Sequence, residues 1–183
     1  MNRVGQVQVV VMRQTATGWQ VLALKRSSAA ADFWQPVTGG INPGEDPARA
    51  ALRELAEETG ITACRLIDPR YAFEFTTDGG VVVLERVFGV VVDAQVEPSL
   101  SREHKEYRWV DLSEAMRIVC YARTKDSVRH VHDLVAGLPA SDGIPIGEMC
   151  LCRHRKGEHI KRSPDLPRSC TRCGCGVFRD RRS

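Results

Sequence analysis

Three glutamates, Glu54, Glu57 and Glu58, stand at spacings of i, i+3 and i+4. On a helix such positions share one face, so the carboxylates project within a few ångströms of one another. Left alone, the three would repel. Hard divalent cations such as Mg²⁺ or Mn²⁺ take oxygen ligands and keep positions for water and substrate phosphate. A cation so held bridges diphosphate oxygens and acidifies an attacking water. The spacing therefore suits a helix face that holds a divalent cation. The competing reading is a solvated helix face, with Arg53 and Glu57 four apart as an ion pair.

The elements around these residues support a helix at this place. Asp46 is suited to cap it, Pro47 to begin it and Gly60 to stop it, which predicts a helix over Pro47 to Thr59. Ala48, Ala51, Leu52 and Leu55 recur at three and four and form the expected buried stripe, leaving Arg53, Glu54, Glu57 and Glu58 on other faces. Upstream, the apolar-rich runs Val7 to Met12 and Trp19 to Leu24 read as a strand hairpin, followed by the Gly-rich turn at Gly39 and Gly40. Downstream, Ile61 to Ile67, Tyr71 to Phe75, Val81 to Val92 and Tyr107 to Val110 read as strands, with a tight turn at Asp78-Gly79-Gly80. Leu112 to Ile118 and Asp126 to Val135 read as helices. The fold class is thus α+β, an α/β/α sandwich with a mixed sheet between helices.

Charge and cysteine usage divide the chain of 183 residues and net charge +3 into two unlike parts. From Cys150 onward, ten Lys or Arg face three Asp or Glu, which leaves 16 against 20 in the remainder. A basic tail follows an acidic body. Of the seven cysteines, Cys64 and Cys120 are isolated, and Cys150, Cys152, Cys170, Cys173 and Cys175 crowd the tail beside His154 and His159. Zinc takes four such ligands, and metal can supply the folding energy that a segment with so little core lacks. The expected set is Cys150, Cys152, Cys170 and Cys173, with His154, His159 and Cys175 as alternates; the other reading is a disordered basic tail with free thiols. Its charge could also serve phosphate contacts to a nucleic acid. Leu138 to Gly147, with Pro139, Gly143 and Pro145, reads as a linker. No apolar run approaches the roughly 18 to 20 residues of a membrane span, and Arg3 precedes polar Gly5 and Gln6 where a signal peptide would be apolar. A cytoplasmic location is the expectation, with the oligomeric state open.

From Gly39 to Ile61 the chain reads GGINPGEDPARAALRELAEETGI, which fits the pattern G-x5-E-x7-R-E-U-x-E-E-x-G-U, U being aliphatic, at Gly39, Glu45, Arg53, Glu54, Leu55, Glu57, Glu58, Gly60 and Ile61. On this motif the chain resembles the Nudix hydrolases, over roughly Val4 to Gly137. The resemblance implies a Nudix domain over 1–137, to which composition and cysteine usage add a linker over 138–147 and a zinc-ribbon-like module over 148–183. It also implies that Arg53 pairs with Glu45 or a neighbouring glutamate and so orients the carboxylates.

Two further segments, FWQPVTGG from Phe33 and REHKEYRWVD from Arg102, resemble those of the bacterial dihydroneopterin triphosphate pyrophosphohydrolases. That resemblance implies that Glu103 comes to the metal from a loop and is the general base, with Glu57 or Glu58 as the other candidates. Pro36 and Gly40 depart from that subgroup's pattern. The expected substrate is a nucleoside or pterin triphosphate, cleaved to monophosphate and pyrophosphate. The alternative is a nucleic-acid-associated protein or an RNA 5′-end pyrophosphohydrolase that uses the basic tail. Trp34 could stack on a ring and Gln35 read its edge, or Trp34 could be core. Lys25 and Arg26 could meet phosphate or simply be solvated. His130 and His132 are expected at the surface.

Overall fold

The computed structural model describes residues 3–26 and 33–137, and the backbone of 159–160 and 169–170. The chain divides into two compact units, Met1–Leu138 and Pro139–Ser183.

In the first unit the strands are β1 (Arg3–Thr15), β2 (Gly18–Arg26), β3 (Trp34–Gln35), β4 (Val37–Gly40), β5 (Arg65–Thr76), β6 (Val82–Val92) and β7 (His104–Val110). Its helices are α1 (Pro47–Thr59), α2 (Leu112–Ile118) and α3 (Ala122–Ala136). The strands form one seven-stranded sheet in the order β3-β2-β1-β6-β5, with β4 also on β1 and β7 also on β2. β1 and β6 run parallel and the other pairs antiparallel, so the sheet is mixed as expected.

Successive side chains of a strand point to opposite sheet faces. On one face Val10, Met12, Val21, Ala23 and Val87 pack with Val128, Val131 and Val135 of α3 and Ala115 of α2. Close approach is set at Gly89, where a Cβ would lie 2.8 Å from Val131 Cγ1. The helix α1 meets β1, β4, β5 and β6 without joining that cluster, so it covers the other face. Leu22, Leu24 and Leu55 are fully buried, each worth roughly 1.5–3 kcal/mol.

Three differences from the sequence reading have local causes. Ile61 to Cys64 is not a strand, and β5 instead runs unbroken through both expected downstream strands. It manages this through a bulge between Ile67 and Tyr71, where Pro69 needs no ladder donor and Arg70 takes a φ of 54° with its N–H on Asp68 Oδ1. The helix α3 begins at Ala122, because its first turns bury Thr124 and Ser127, which carry no apolar periodicity. The buried stripe of α1 is Ala50, Ala51, Leu55, Glu58 and Thr59, and Leu52 is exposed. Glu58 therefore lies on the packed side of its helix.

In the second unit, β8 (His159–Ile160) pairs antiparallel with β9 (Ser169–Cys170), with His159 opposite Cys170. The other expected zinc ligands, Cys150, Cys152, His154, Cys173 and Cys175, lie outside the described residues, as does the linker. Among the described residues no helix is long and apolar enough to cross a membrane.

Candidate active site

The helix α1 has the predicted bounds, and its caps explain them. Asp46 Oδ1 accepts from Ala48 N and Arg49 N at 3.0 and 3.2 Å. Gly60, at φ 68°, closes the helix in the left-handed region that favours glycine.

One guanidinium organises the exposed edge. Arg53 Nε donates to Glu45 Oε1 and Nη2 to Glu45 Oε2, both at 2.9 Å, while Nη2 also donates to the Gly40 carbonyl at 2.8 Å. Nη1 donates to Glu54 Oε1 at 2.7 Å and Glu57 Oε2 at 3.2 Å. The forked pair with Glu45 matches guanidinium geometry, which a lysine cannot reproduce. Arg53 hydrogen bonding, with the Asn42 N–H, holds the Glu45 carboxyl down at about 2. Glu45 and Glu54 in turn push the Arg53 pKa up. The sequence expectation for Arg53 matches this geometry, with Glu45, Glu54 and Glu57 all engaged.

The three helix glutamates occupy different surroundings: their side chains are 13% exposed at Glu54, 59% at Glu57 and 6% at Glu58. Glu54 lies against the backbone of β4, where a Cβ on Gly39 would fall 1.8 Å from its Cδ. Glycine is required there for the carboxylate to fit. Gly40 is different, since a Cβ would meet nothing within 4 Å and its part is the carbonyl that Arg53 holds.

Glu58 is the inner group. Burial pushes its carboxyl up to about 8; repulsion from Glu103 and then Glu54 adds to this, and Arg26 and the Thr38 N–H oppose it. Its Oε2 is buried without a hydrogen-bond partner. The nearest imidazole, His104 Nε2, is 3.8 Å away, and both ring nitrogens of the buried His104 also lack partners. Burial, then Arg26, keeps His104 below its ordinary pKa.

The loop that carries Glu103 is fixed to the end of α1. Ser99 N donates to Thr59 O at 2.9 Å and Ser101 N to Glu58 O at 3.0 Å. Ser101 then accepts twice, from Glu103 N at Oγ and from His104 N at its carbonyl, each at 3.3 Å. These bonds bring a glutamate distant in sequence close enough to repel Glu58.

Carboxylate oxygens are the donors that a hard divalent ion takes. The unpartnered Glu58 Oε2 and the Gly39 space that holds Glu54 fit such an ion. In the conformation seen, no three His, Cys, Asp or Glu side chains among the described residues converge on one point. Arg53 engages Glu54 and Glu57, of which only Glu57 is well exposed, while Glu58 is the most buried of the three. Of the three, Glu54 is near enough to repel Glu58.

The remaining expected residues divide between site and core. Trp34 is half-buried against the core cluster, yet Arg108 Cζ and Lys25 Nζ lie 4.7 and 5.7 Å from its ring centroid, so it is both packed and rimmed by cations. Gln35 is buried and its Nε2 donates to Thr38 Oγ1 at 3.2 Å, which turns it away from a solvent-facing role. Arg26 sits opposite His104 across a bulge in the β2–β7 pairing, close enough to influence Glu58. His130 is exposed and stacks on Tyr71 at 4.9 Å, and His132 is half-buried. Sequence reasoning gave no role to His104, Arg108, Gln8 or Glu85. Gln8 and Glu85 stand among β-branched residues but beside further polar residues, Gln6 and Arg86, so neither stood out.

The NUDIX domain family matches residues 3–131, and the chain belongs to that family. It is a pyrophosphohydrolase. The chain is 32% identical over 120 residues to the bis(5'-nucleosyl)-tetraphosphatase (asymmetrical) of Rattus norvegicus, over 64% of this chain and 82% of that protein. It is also 32% identical over 126 residues to an octanoyltransferase of Myxococcus xanthus; this covers 67% of the chain, which spans only 35% of that relative's length. Among solved structures, a C. elegans Ap4A hydrolase binary complex is similar at TM-score 0.67 and 26% identity, covering 74% of this chain and 99% of the other. The E. coli dihydroneopterin triphosphate pyrophosphohydrolase is similar at TM-score 0.63 and 25% identity, covering 73% and 99%. These likenesses are of one order and do not set the dihydroneopterin enzyme apart.

Proposed function

We propose that this chain hydrolyses a nucleoside or pterin triphosphate, such as a (d)NTP or dihydroneopterin triphosphate, to the monophosphate and pyrophosphate. In this reading Glu54, Glu57, Glu58 and Glu103 hold Mg²⁺ or Mn²⁺. The observation that carries it is the docking of the 99–104 loop on α1, which brings Glu103 near enough to raise the pKa of Glu58.

The bound ion supplies charge neutralisation of the diphosphate and a more acidic water. Glu103 accepts the proton of the attacking water as its oxygen bonds to phosphorus and the anhydride P–O bond breaks, releasing pyrophosphate. Arg53 and Glu45 keep Glu54 in place against Gly39. Arg26 and Lys25, at the end of β2, present positive charge to the phosphates. The similarity to tetraphosphatases and Ap4A hydrolases favours a dinucleoside tetraphosphate as a second substrate reading. The Cys/His-rich tail over 148–183 is assigned zinc through Cys150, Cys152, Cys170 and Cys173.

The test is hydrolysis of nucleoside triphosphates, dihydroneopterin triphosphate, diadenosine tetraphosphate and triphosphorylated RNA with Mg²⁺, by wild type and Glu58→Gln. Release of pyrophosphate from one of the triphosphates, lost in Glu58→Gln, is the expected result. Inertness of the wild type to the panel, or an undiminished variant, overturns the reading. Zinc content of the full chain, unchanged by Cys170→Ser with Cys173→Ser, would sink that ligand set.

A further inference from the structure

The sheet face opposite α1 carries polar side chains where packing calls for apolar ones. Gln8 is fully buried, and neither its Oε1 nor its Nε2 has a hydrogen-bond partner. Its face-mates on β1, Val10 and Met12, belong to the apolar core. Glu85 is also buried, and burial alone pushes its carboxyl up to about 7.

Register places these two groups together. Gln8 pairs with Thr38 of β4 and with Val87 of β6, and Glu85 pairs with Gln6 of β1 and Phe73 of β5. Residues paired across strands share a face, as do residues two apart in one strand, so Thr38, Gln8, Glu85 and Phe73 lie on one face of β4, β1, β6 and β5, with Gln8 and Glu85 as diagonal neighbours. Diagonal neighbours on adjacent strands stand roughly 7–8 Å apart. Thr38 ties this patch to the carboxylates through its backbone, since its N–H donates to Glu58. Phe73 brings an aromatic ring, with Arg123 Cζ 5.8 Å from its centroid.

Building on the reading of the catalytic carboxylates given above, we infer that Gln8 and Glu85, on the floor beside Thr38, read the edge of the substrate's flat heterocycle. An unpaired primary amide offers one donor and one acceptor side by side, the arrangement that glutamine uses bidentately on an adenine edge. A protonated carboxyl adds a second donor and acceptor. A sugar phosphate has no conjugated edge of this kind, whereas a purine or a pterin has one. The ligand class is therefore a ring with adjacent donor and acceptor. Gln8 is covered in this conformation, so the ring reaches the amide by displacing what covers it.

The experiment separates this site from the chemistry by omitting both metal and turnover. Tryptophan fluorescence titrations of the full chain with AMP, GMP and neopterin monophosphate are compared with ribose 5-phosphate, for wild type, Gln8→Leu, Gln8→Met and Glu85→Gln. At least one ring ligand is expected to bind about tenfold or more tightly than ribose 5-phosphate. That preference disappears in Gln8→Leu and Gln8→Met, whose Tm rises because an unpaired buried amide has been replaced by an apolar group. With metal, the same variants raise KM for the preferred ring substrate about tenfold and leave kcat within about threefold, since ring binding is made equally in ground and transition states. Ring ligands no tighter than ribose 5-phosphate overturn the inference. So does a fall in Tm with unchanged ring affinity, which would make Gln8 a packing residue. Failure of hydrolysis by the wild type would leave the titrations intact and refute only the reaction.

Discussion

Replacing Glu58 by glutamine is expected to remove most of one proton's worth of pH dependence from the stability of the metal-free protein. The carboxyl is raised from 4.5 to about 8, chiefly by burial. Between those values the folded state holds a proton that the unfolded state has released. Stabilisation from protonated Glu58 is therefore complete below about 4.5 and is lost as pH rises through about 8. The slope is about 1.4 kcal/mol per pH unit, which accumulates to about 3 kcal/mol between pH 5 and 7.5. Glu85, raised to about 7 by burial, gives a second slope of the same sign over a shorter window. His104, lowered by burial, opposes both below its ordinary pKa. Only the Glu58 contribution is absent from Glu58→Gln, so the difference between the two proteins isolates it. Urea unfolding in EDTA at steps from pH 5 to 8 measures this. The variant should gain about 3 kcal/mol on wild type across the range, and Mg²⁺ at pH 7.5 should stabilise wild type more than the variant. Parallel stability curves for the two proteins would refute the reasoning, because they would mean that Glu58 is not held protonated by its surroundings.

Gly39→Ala forces the Glu54 carboxylate out of its place and should lower kcat/KM by about tenfold or more, as misplaced ligand support does, while circular dichroism stays native. Arg53→Lys loses the forked pair with Glu45; a fall of about 10–100-fold in Mn²⁺ affinity is expected, read by EPR titration. Glu103→Gln should cost about 10²–10⁴ in kcat if it removes the proton from water; a larger loss in Glu57→Gln than in Glu103→Gln would transfer that role. Gly89→Ala drives a Cβ to 2.8 Å from Val131 and should destabilise by about 1–3 kcal/mol without altering metal affinity.

What the sequence determined by itself was local. Asp46, Pro47 and Gly60 specify where α1 starts and stops through their own backbone and cap chemistry, so its bounds were legible without tertiary information. The spacing of Arg53, Glu54, Glu57 and Glu58 likewise fixed which residues share a helix, and the family followed from them. The tertiary structure decided what each carboxylate experiences. Burial of an α-helix face depends on how the helix rolls against the sheet, so Glu58 took the place on the packed side that periodicity had offered to Leu52. The association of Glu103 with α1 rests on backbone bonds from Ser99 and Ser101 to Thr59 and Glu58 across about 40 residues of chain, and no local pattern encodes such bonds. In the same way, Gln8 and Glu85 are polar positions of two separate strands until parallel pairing of β1 with β6 sets them on one face.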